Sequence, residues 1–357
     1  MLTRSVEILA VGMATPVGLT APTTAAAIRA GIVRTRETAM LDLHFRPFVA
    51  GFLNPLPDSP TPPSSFPYRE ERMLRLALPA LKEAASESNT AALFLGLPED
   101  MAGPHGTGDV FLRELIHASG ARISPNASRV IPCGRAAGLW ALAEALGYLS
   151  AGKGQDVIVG GVDSLIDPTV LAGLEADCRI AGTRPSDTFI PGEGAGFLWL
   201  APSGTARRRR KAPLGEIFGM GIGREPGHRD SQVPYRGEGL SAAFHEAFTG
   251  MPQEAERVRT AYLGFNGESF WAKEWGVGQV RFQRRFHDVL KIEHPVENLG
   301  DPGAGLGALM LALAAIGLQR GYRKGPCLVS CSSDHEERAA VLLRAVEPGG
   351  QGHARVW

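Results

Sequence analysis

The sequence predicts an α/β protein built from two similar halves, in which short buried strands alternate with helices. Two observations support this prediction. Strand-like apolar runs and helix-like segments alternate along the chain, and their order restarts after a basic run in the middle. A chain of 357 residues also exceeds the usual size of one domain. We therefore predict an N-terminal half at residues 1–206 and a C-terminal half at residues 207–357.

The first half starts with an apolar run at residues 6–13, which predicts a buried strand. A proline- and serine-rich stretch at residues 46–66 predicts an irregular surface loop. The other elements alternate as expected for a largely parallel sheet. They are helices at residues 23–30, 69–85, 109–118 and 136–151, and strands at residues 91–97, 128–132 and 156–163.

The second half follows the basic run RRRRK at residues 207–211. We interpret this run as a solvated linker, because neither aromatic residues nor a second basic cluster accompanies it. Strand and helix then alternate in the same order as before. The predicted elements are helices at residues 239–248 and 303–318, and strands at residues 214–219, 260–265 and 325–330, the last of which is expected to end the sheet.

Composition excludes several classes of function. Lys+Arg and Asp+Glu both number 37, so no net field would attract nucleic acid or an anionic membrane. The four cysteines form neither a CxxC motif nor a metal-ligand cluster with histidines, which predicts no metal and fits a reducing cytoplasm. No apolar run has the length of a signal peptide or membrane span. A dinucleotide cofactor is not expected, because no GxGxxG motif lies between Gly12 and Gly18.

Three segments, in order, resemble the β-ketoacyl synthases of fatty-acid and polyketide assembly. They read VGMATPVGLTAPTTAAAIRAGI, RPSDTFIPGEGAGFLWL and NLGDPGAGLGALMLALAAI. The second is the most specific, since it is similar to the family's RPFDxxRDGFVxGEGAG segment. Its structural motif consists of Gly192, Glu193, Gly194 and Gly196. The resemblance implies the thiolase-like fold, in which two similar βαβαβ halves form a layered αβαβα sandwich.

The resemblance also locates the family's nucleophilic cysteine, which lies at the N-terminus of a buried helix where the helix dipole stabilises a thiolate. The local sequence here is IPCGRAAGLWALAEAL. Matching Gly138, Leu139 and the helix that follows puts Arg135 at the nucleophile position. A guanidinium cannot attack a thioester, because it stays protonated. A two-residue slip in the loop would instead make Cys133 the nucleophile; otherwise Cys133 is a small buried side chain.

The two family histidines correspond to other residue types as well. Asn266 occupies the first position, in NGES after the strand at residues 260–265, and Asp301 occupies the second, in NLGD. An amide does not exchange protons as imidazole does, and an aspartate would repel a malonyl carboxylate. The literal HGTG at residues 105–108 lies where the family has no catalytic histidine and predicts a surface turn.

A second cysteine provides another alternative. The segment at residues 330–343 stands where the family has a glycine-rich loop, and we predict a polar loop there. Cys331, Asp334 and His335 lie close together in it, so a Cys-His pair is an alternative.

The replaced positions imply a catalytically degenerate, non-condensing protein that binds, scaffolds or adapts. Degenerate subunits pair with active ones in type II polyketide systems, and compact copies resemble proteins encoded beside secretion-system cargo. The alternative is an acyltransferase or 3-oxoacyl-ACP synthase-type enzyme that acts on acyl thioesters through Cys133 or Cys331. We expect a homodimer joined through the strand at residues 128–132, and an acyl carrier protein or another protein as partner. We expect neither nucleic acid nor a membrane as partner.

The last prediction concerns the substituted site itself. The family places the positions of Arg135 and Asp301 around one pocket, and a buried arginine without a partner is strongly unfavourable. We therefore predict a buried ion pair between them. Asn266 is expected to complete the network by hydrogen bonding to the guanidinium or the carboxylate.

Overall fold

The structure is a computed structural model that describes residues 5–58, 66–88, 90–103, 106–180, 187–251 and 256–346. Two features named above fall partly outside these ranges. His105, which opens the predicted surface turn, is one of the residues not described, and so are residues 184–186 of the RPSD segment.

Within the described ranges the chain forms twelve strands and ten α-helices. The strands are β1 Val6–Ala14, β2 Thr35–Leu41, β3 Pro47–Gly51, β4 Ala92–Leu97, β5 Arg129–Pro132, β6 Val157–Ser164, β7 Glu193–Pro202, β8 Gly215–Arg224, β9 Val258–Leu263, β10 Phe286–Glu293, β11 Cys327–Ser332 and β12 Glu337–Arg344. The helices are α1 Ala21–Arg29, α2 Tyr68–Ala85, α3 Gly108–Ser119, α4 Ala137–Ser150, α5 Pro168–Ala176, α6 Thr205–Arg208, α7 Glu238–Phe248, α8 Ser269–Arg281, α9 Val296–Leu299 and α10 Leu306–Gln319.

Two five-stranded units of the same topology make up the main sheet. Its order is β10-β9-β11-β12-β8 in the second half, continued by β1-β7-β6-β4-β5 in the first. We number the main-sheet strands of each half along the chain and read each unit from its outer edge towards the junction. Both units then give the order third, second, fourth, fifth, first. In each unit the three strands at the outer edge are parallel to one another, and the two strands nearest the junction pair antiparallel. The units join where β1 pairs antiparallel with β8, with Val6 opposite Ile217. The predicted pair of similar halves is confirmed. The boundary after residue 206, which falls within α6, remains a prediction.

Helices α4 and α10 form the central layer between the two units. Every residue from Leu306 to Leu318 in α10 is buried, which accounts for its continuous small and apolar sequence. The two helices approach closely at glycines, because a Cβ on Gly138 would lie 2.8 Å from the backbone nitrogen of Ala308. A larger residue at Gly138 would therefore push the central helices apart.

Successive side chains of a strand point to opposite faces of the sheet, so each strand packs on the central helices with one face and on outer helices with the other. In β6, Val157 and Val159 pack on the central helices, whereas Ile158 between them packs on the side of α2 and α3. In β11, Val329 likewise faces the centre and Leu328 packs with α7. Helices therefore cover both outer faces, and the predicted αβαβα sandwich is confirmed.

Three local predictions were wrong. The predicted loop at residues 46–66 contains β3, which pairs with β2; its proline stands at the first position of the strand, where a missing N–H is tolerated. Residues 325–330 do not end the sheet, and residues 330–343 are not a polar loop, because β12 follows β11. The apolar run AAVLL makes β12 a buried strand between β11 and β8. The charged residues just before this run led us to predict a polar loop.

The basic run forms a short helical turn after β7. Arg209 lies 3.0 Å from Asp156, and Lys211 lies 2.9 Å from the exposed Glu87. Both cations also lie over the Trp199 ring. The run is thus fastened to the protein surface by local contacts.

None of the helices in the described part of the chain is long and apolar enough to cross a membrane.

Candidate functional site

The site begins where β5 leads into α4. After Cys133 the chain makes a 3₁₀ turn, Gly134–Ala136, in which Gly134 has a φ of 65°. This left-handed conformation favours glycine, and a Cβ here would lie 2.5 Å from Oε1 of Glu99. The turn directs Arg135 into the space between the two halves, where its side chain is only 8% exposed.

Arg135 forms the predicted ion pair. Its Nε lies 3.0 Å from Oδ2 of Asp301, whose side chain is 2% exposed. The contact is ionic, since Nε makes no aligned hydrogen bond. Nη2 donates to the carbonyl of Gly264, and the guanidinium lies 4.7 Å from the ring centre of Trp271. Burial alone would lower the pKa of Arg135, but the charge of Asp301 and other nearby groups outweighs it and raises the pKa. The prediction of a buried Arg135–Asp301 pair is confirmed.

Asn266 completes the network as predicted. Its Nδ2 donates to Oδ2 of Asp301 at 2.9 Å and to Oε2 of Glu268 at 3.0 Å, and its Oδ1 accepts from the backbone N–H of Glu268. The other oxygen of Asp301 accepts from the backbone N–H of Gly303. Both oxygens of Asp301 therefore have donors, which allows a carboxylate to be buried at this depth.

The network extends to residues that sequence reasoning missed. Arg179 donates to both oxygens of Glu268 at 2.8 Å and also reaches Asp334 at 2.6 Å. Burial would raise the pKa of Glu268, but the hydrogen bonds and charge of Arg179 lower it to about 2. Glu268 follows Asn266 by two residues, so a buried acid in that turn was visible in the sequence. Its partner was not, because Arg179 comes from the segment after α5.

A cavity of about 260 Å³ adjoins this network. Its lining includes eight charged side chains, five acids and three arginines. They are Glu99, Asp100, Asp163, Asp301 and Asp334, and Arg69, Arg135 and Arg179. Each arginine is within ion-pair distance of an acid, including Arg69, which lies 2.8 Å from Asp163. Leu165, Val170 and Leu174 provide an apolar wall. The cavity suits a small ligand more than a long chain.

Glu99 is the least satisfied group of the cavity. Its Oε1 is buried without a hydrogen-bond partner among the described residues, and its Oε2 lies 3.6 Å from Nε2 of His335. Burial raises the pKa of Glu99 to about 7; His335 opposes the shift, and Asp334 adds to it. Glu99 therefore changes protonation near neutral pH.

The two candidate thiols are held in the thiol form. Burial raises the pKa of Cys331 to about 12, despite the opposing charge of Arg135, and its Sγ contacts the carbonyl of Arg135 at 3.0 Å. Burial also raises the pKa of Cys133. Among the described residues no hydrogen bond joins Cys331 to His335, whose ring lies 5.5 Å from that of His228. Cys331 is buried and Cys133 is half-buried, and at neither thiol does a nearby cation outweigh the effect of burial, as the activation of a reactive cysteine requires.

The GEGAG motif serves packing and burial. A Cβ on Gly192 would lie 2.7 Å from the carbonyl oxygen of Leu299, and one on Gly196 would lie 2.8 Å from the nitrogen of Leu309, which explains the glycines beside α9 and α10. Gly194 has the same role, since its Cβ would lie 3.1 Å from Leu309. Glu193 is fully buried and accepts hydrogen bonds from Arg72 at 2.7 and 2.9 Å.

One group among the described residues has the composition of a metal site. Ligand atoms of Asp42, His44 and Glu175 lie within 4.8 Å of one another. However, Asp42 already accepts from the side chain of Arg46 and from the backbone N–H of His44. We therefore assign no metal to this group.

Comparison with known proteins gives one consistent picture. No family model matches the chain. It is 30% identical over 156 residues to 3-oxoacyl-acyl-carrier-protein synthase 2 of Staphylococcus aureus and to the same enzyme of strain COL. These matches cover 41% of this chain, which spans between 36% and 38% of the length of these curated relatives. The sequence similarity to these synthases therefore lies within this matched part of the chain.

Solved structures extend the likeness to the whole fold. The ketosynthase from module 6 of the bacillaene synthase of Bacillus subtilis 168 has a TM-score of 0.80 at 14% identity, covering 96% of this chain and 72% of that one. The chain has the thiolase-like fold of the ketosynthases. The ishigamide ketosynthase/chain length factor has a TM-score of 0.73 at 15% identity, covering 96% of this ketosynthase-like chain and 99% of its own.

A third structure shows a type II polyketide synthase acyl-carrier protein in complex with its ketosynthase. Its TM-score is 0.74 at 15% identity, and it covers 96% of this chain and 100% of that one. The resemblance therefore extends over nearly all of this chain. At this identity it establishes the fold and leaves the activity to be argued from the site.

Proposed function

We propose that this ketosynthase-like chain does not condense acyl thioesters and serves as a binding, scaffolding or adaptor protein. The observation that carries the proposal is the Arg135–Asp301 pair, which lies at the start of α4 where the superfamily implies a nucleophile. A guanidinium that stays protonated cannot form a covalent acyl intermediate. The pair also fills the position with charges that neutralise each other.

The other proposed replacements support the same function. Asp301 presents a carboxylate where condensation needs a donor for a developing negative charge, so a malonyl group would meet repulsion. Asn266 is occupied by Asp301 and Glu268 through its only donor group. The surroundings of Cys133 and Cys331, described above, argue against the alternative of an acyltransferase that uses either thiol.

The proposal includes partners. Strand β5 stands at the end of the sheet, and among the described residues no strand covers its outer edge. An exposed edge of this kind favours pairing with a second copy, so we propose a homodimer. An acyl carrier protein is a further candidate partner, because one of the similar ketosynthases is seen in complex with such a protein. We place the protein in the cytoplasm.

The proposal is tested by incubating the protein with an acyl-CoA and measuring the mass of the intact protein. The wild-type chain, incubated with an acyl-CoA, is expected to gain no stable adduct. The variant R135C/D301N places a thiol at the start of α4. It also replaces the Asp301 carboxylate, which would otherwise lose its arginine partner. This variant is expected to gain one acyl group. C133A in the wild-type background is the matched control and is expected to behave like the wild type.

Two results would contradict the proposal. A wild-type adduct that C133A abolishes would assign the nucleophile to Cys133, and one that survives C133A but is lost in C331A would assign it to Cys331. Light scattering at micromolar concentration tests the dimer separately, and a monomeric mass would contradict it. Titration with an acyl carrier protein tests the remaining partner.

A further inference from the structure

A second cavity, of about 280 Å³, lies between α1 and the C-terminal end of α10. Its floor is apolar and includes Ala25 and Ile316, both 5% exposed. Arg29, Arg320 and Tyr322 form its polar side. None of its lining residues is acidic. This arrangement differs from the cavity at Arg135, where acids outnumber arginines.

The two arginines have no anionic partner in the described part of the chain. Neither Arg29 nor Arg320 makes an ion pair or a side-chain hydrogen bond there. The neighbouring Arg323 is different, because its Nη2 lies 2.8 Å from Glu293. Both arginines are exposed residues, and an anion bound in the cavity that they line would be attracted by both charges.

Tyr322 brings the cations together. The guanidinium of Arg29 lies 4.8 Å from the centre of the tyrosine ring, and that of Arg323 lies 5.2 Å from it. Burial raises the pKa of the Tyr322 hydroxyl, while the charges of Arg323, Arg29 and Arg320 act to lower it and that of Glu293 acts to raise it. Stacking on an aromatic ring also restricts a guanidinium that would otherwise move freely.

Helix dipoles account for only part of this arrangement. Arg29 lies in the last turn of α1, and Arg320 is the C-cap of α10, positions where a cation stabilises the helix. That effect explains one cation at each helix end. It does not explain why both side chains line one cavity that has an apolar floor and no acidic residue. The same cavity also contains the Tyr322 hydroxyl, which can donate a hydrogen bond.

We propose that this cavity binds a small organic oxyanion, a carboxylate or a phosphate monoester on an apolar body, between Arg29 and Arg320. The apolar body would lie on the floor that includes Ala25 and Ile316. Guanidiniums bind such oxygens through paired, charge-assisted hydrogen bonds. The site does not involve Arg135, so the test of anion binding is independent of the test of the proposed function.

The experiment uses four benzene derivatives of similar size and the full chain. Benzoate and phenyl phosphate are expected to bind in calorimetry, whereas benzamide and benzylamine are not. Comparing the two anions distinguishes a carboxylate site from a phosphate site. Their affinity is expected to fall as salt is raised, because exposed charges are screened.

Substitutions locate the site. R29Q and R320Q are each expected to weaken anion binding about tenfold or more, the loss that follows removal of one charge-assisted contact. R113Q, in an exposed arginine of α3, is the matched control and is expected to leave binding unchanged. Circular dichroism of each variant checks folding.

Three results would overturn the proposal. The first is absence of binding for both anions at concentrations up to about 10 mM. The second is equal affinity for benzamide and benzoate, which would show that the charge is not recognised. The third is wild-type affinity in the double variant R29Q/R320Q, which would place the anion elsewhere.

Discussion

The entrances to the two central helices have the same backbone but different hydrogen bonding. Each begins with a 3₁₀ turn whose first residue is a glycine of positive φ, Gly134 at 65° before α4 and Gly303 at 49° before α10. Each glycine packs against a carboxyl group of the first half, Gly134 against Glu99 and Gly303 against Asp163. The two halves thus repeat a turn along with their strand order.

The two carboxyl groups differ in their partners. Asp163 accepts hydrogen bonds from Arg69 at 2.8 Å and from the backbone N–H of Ala304 at 3.0 Å. Oε1 of Glu99 accepts none among the described residues. Burial raises the pKa of both, but Arg69 and Ala304 oppose the shift only at Asp163. The repeated fold therefore repeats the turn. Side chains from other segments decide whether the carboxyl group beside each turn has hydrogen-bond donors.

The largest expected effect comes from breaking the ion pair that links the entrances. Asp301→Ala leaves the buried guanidinium of Arg135 without its carboxylate and is expected to cost roughly 3–5 kcal/mol of unfolding free energy. The double variant R135M/D301L removes both charges and is expected to cost much less. Urea unfolding measures both values.

Asp288→Ala is the control for this experiment. Asp288 pairs with Arg257 at 3.1 Å, but its side chain is 88% exposed, so its loss is expected to cost less than about 1 kcal/mol. Equal losses in D301A and R135M/D301L would contradict the assignment of the cost to a stranded charge.

The glycine turns provide the next effect. Gly134→Ala and Gly303→Ala both place a side chain at positive φ, which costs roughly 1–2 kcal/mol. Gly303→Ala is expected to cost more, because its Cβ would overlap the Asp163 carboxylate, which Arg69 and Ala304 hold in place. Oε1 of Glu99 has no hydrogen bond among the described residues, so we expect Glu99 to move aside more easily. Similar losses in the two variants would show that the hydrogen bonds of Asp163 do not restrain it.

The smallest expected effect depends on pH. The pKa of Glu99 is about 7 in the folded protein against an ordinary value of 4.5, so the folded state holds an extra proton between these values. Stability contributed by this group therefore falls as pH rises through that window. Glu99→Gln stays neutral, and its stability relative to the wild type is expected to rise by about 1–2 kcal/mol from pH 4.5 to pH 7.5, after allowance for partial exposure.

Thermal or urea unfolding across that pH range checks the prediction. Glu238→Gln, at a side chain that is 57% exposed, is the matched control. A stability difference between Glu99→Gln and the wild type that stays constant with pH would show that folding does not raise the pKa of Glu99.

Elements with a strong local signature could be predicted from the sequence. The buried strands β1, β4 and β6 are short apolar runs, and α10 is a long run of small and apolar residues, so each is recognisable without its neighbours. Strands β10 and β12 were missed. β10 has mixed polarity, with Val289 80% exposed, and β12 follows directly on the charged segment before it.

The same distinction applies to the two sites. The sequence by itself determined the alternation of elements, the glycine-rich helix entrances and, through the resemblance, the meeting of Arg135 with Asp301. Only the tertiary structure decided that Arg179 joins Glu268 to Asp334 and that Arg29 and Arg320 share a cavity. It also decided that Oε1 of Glu99 has no donor among the described residues. The physical reason is that hydrophobic periodicity acts over neighbouring residues, whereas the state of a buried or unpaired charge depends on groups that approach from distant segments.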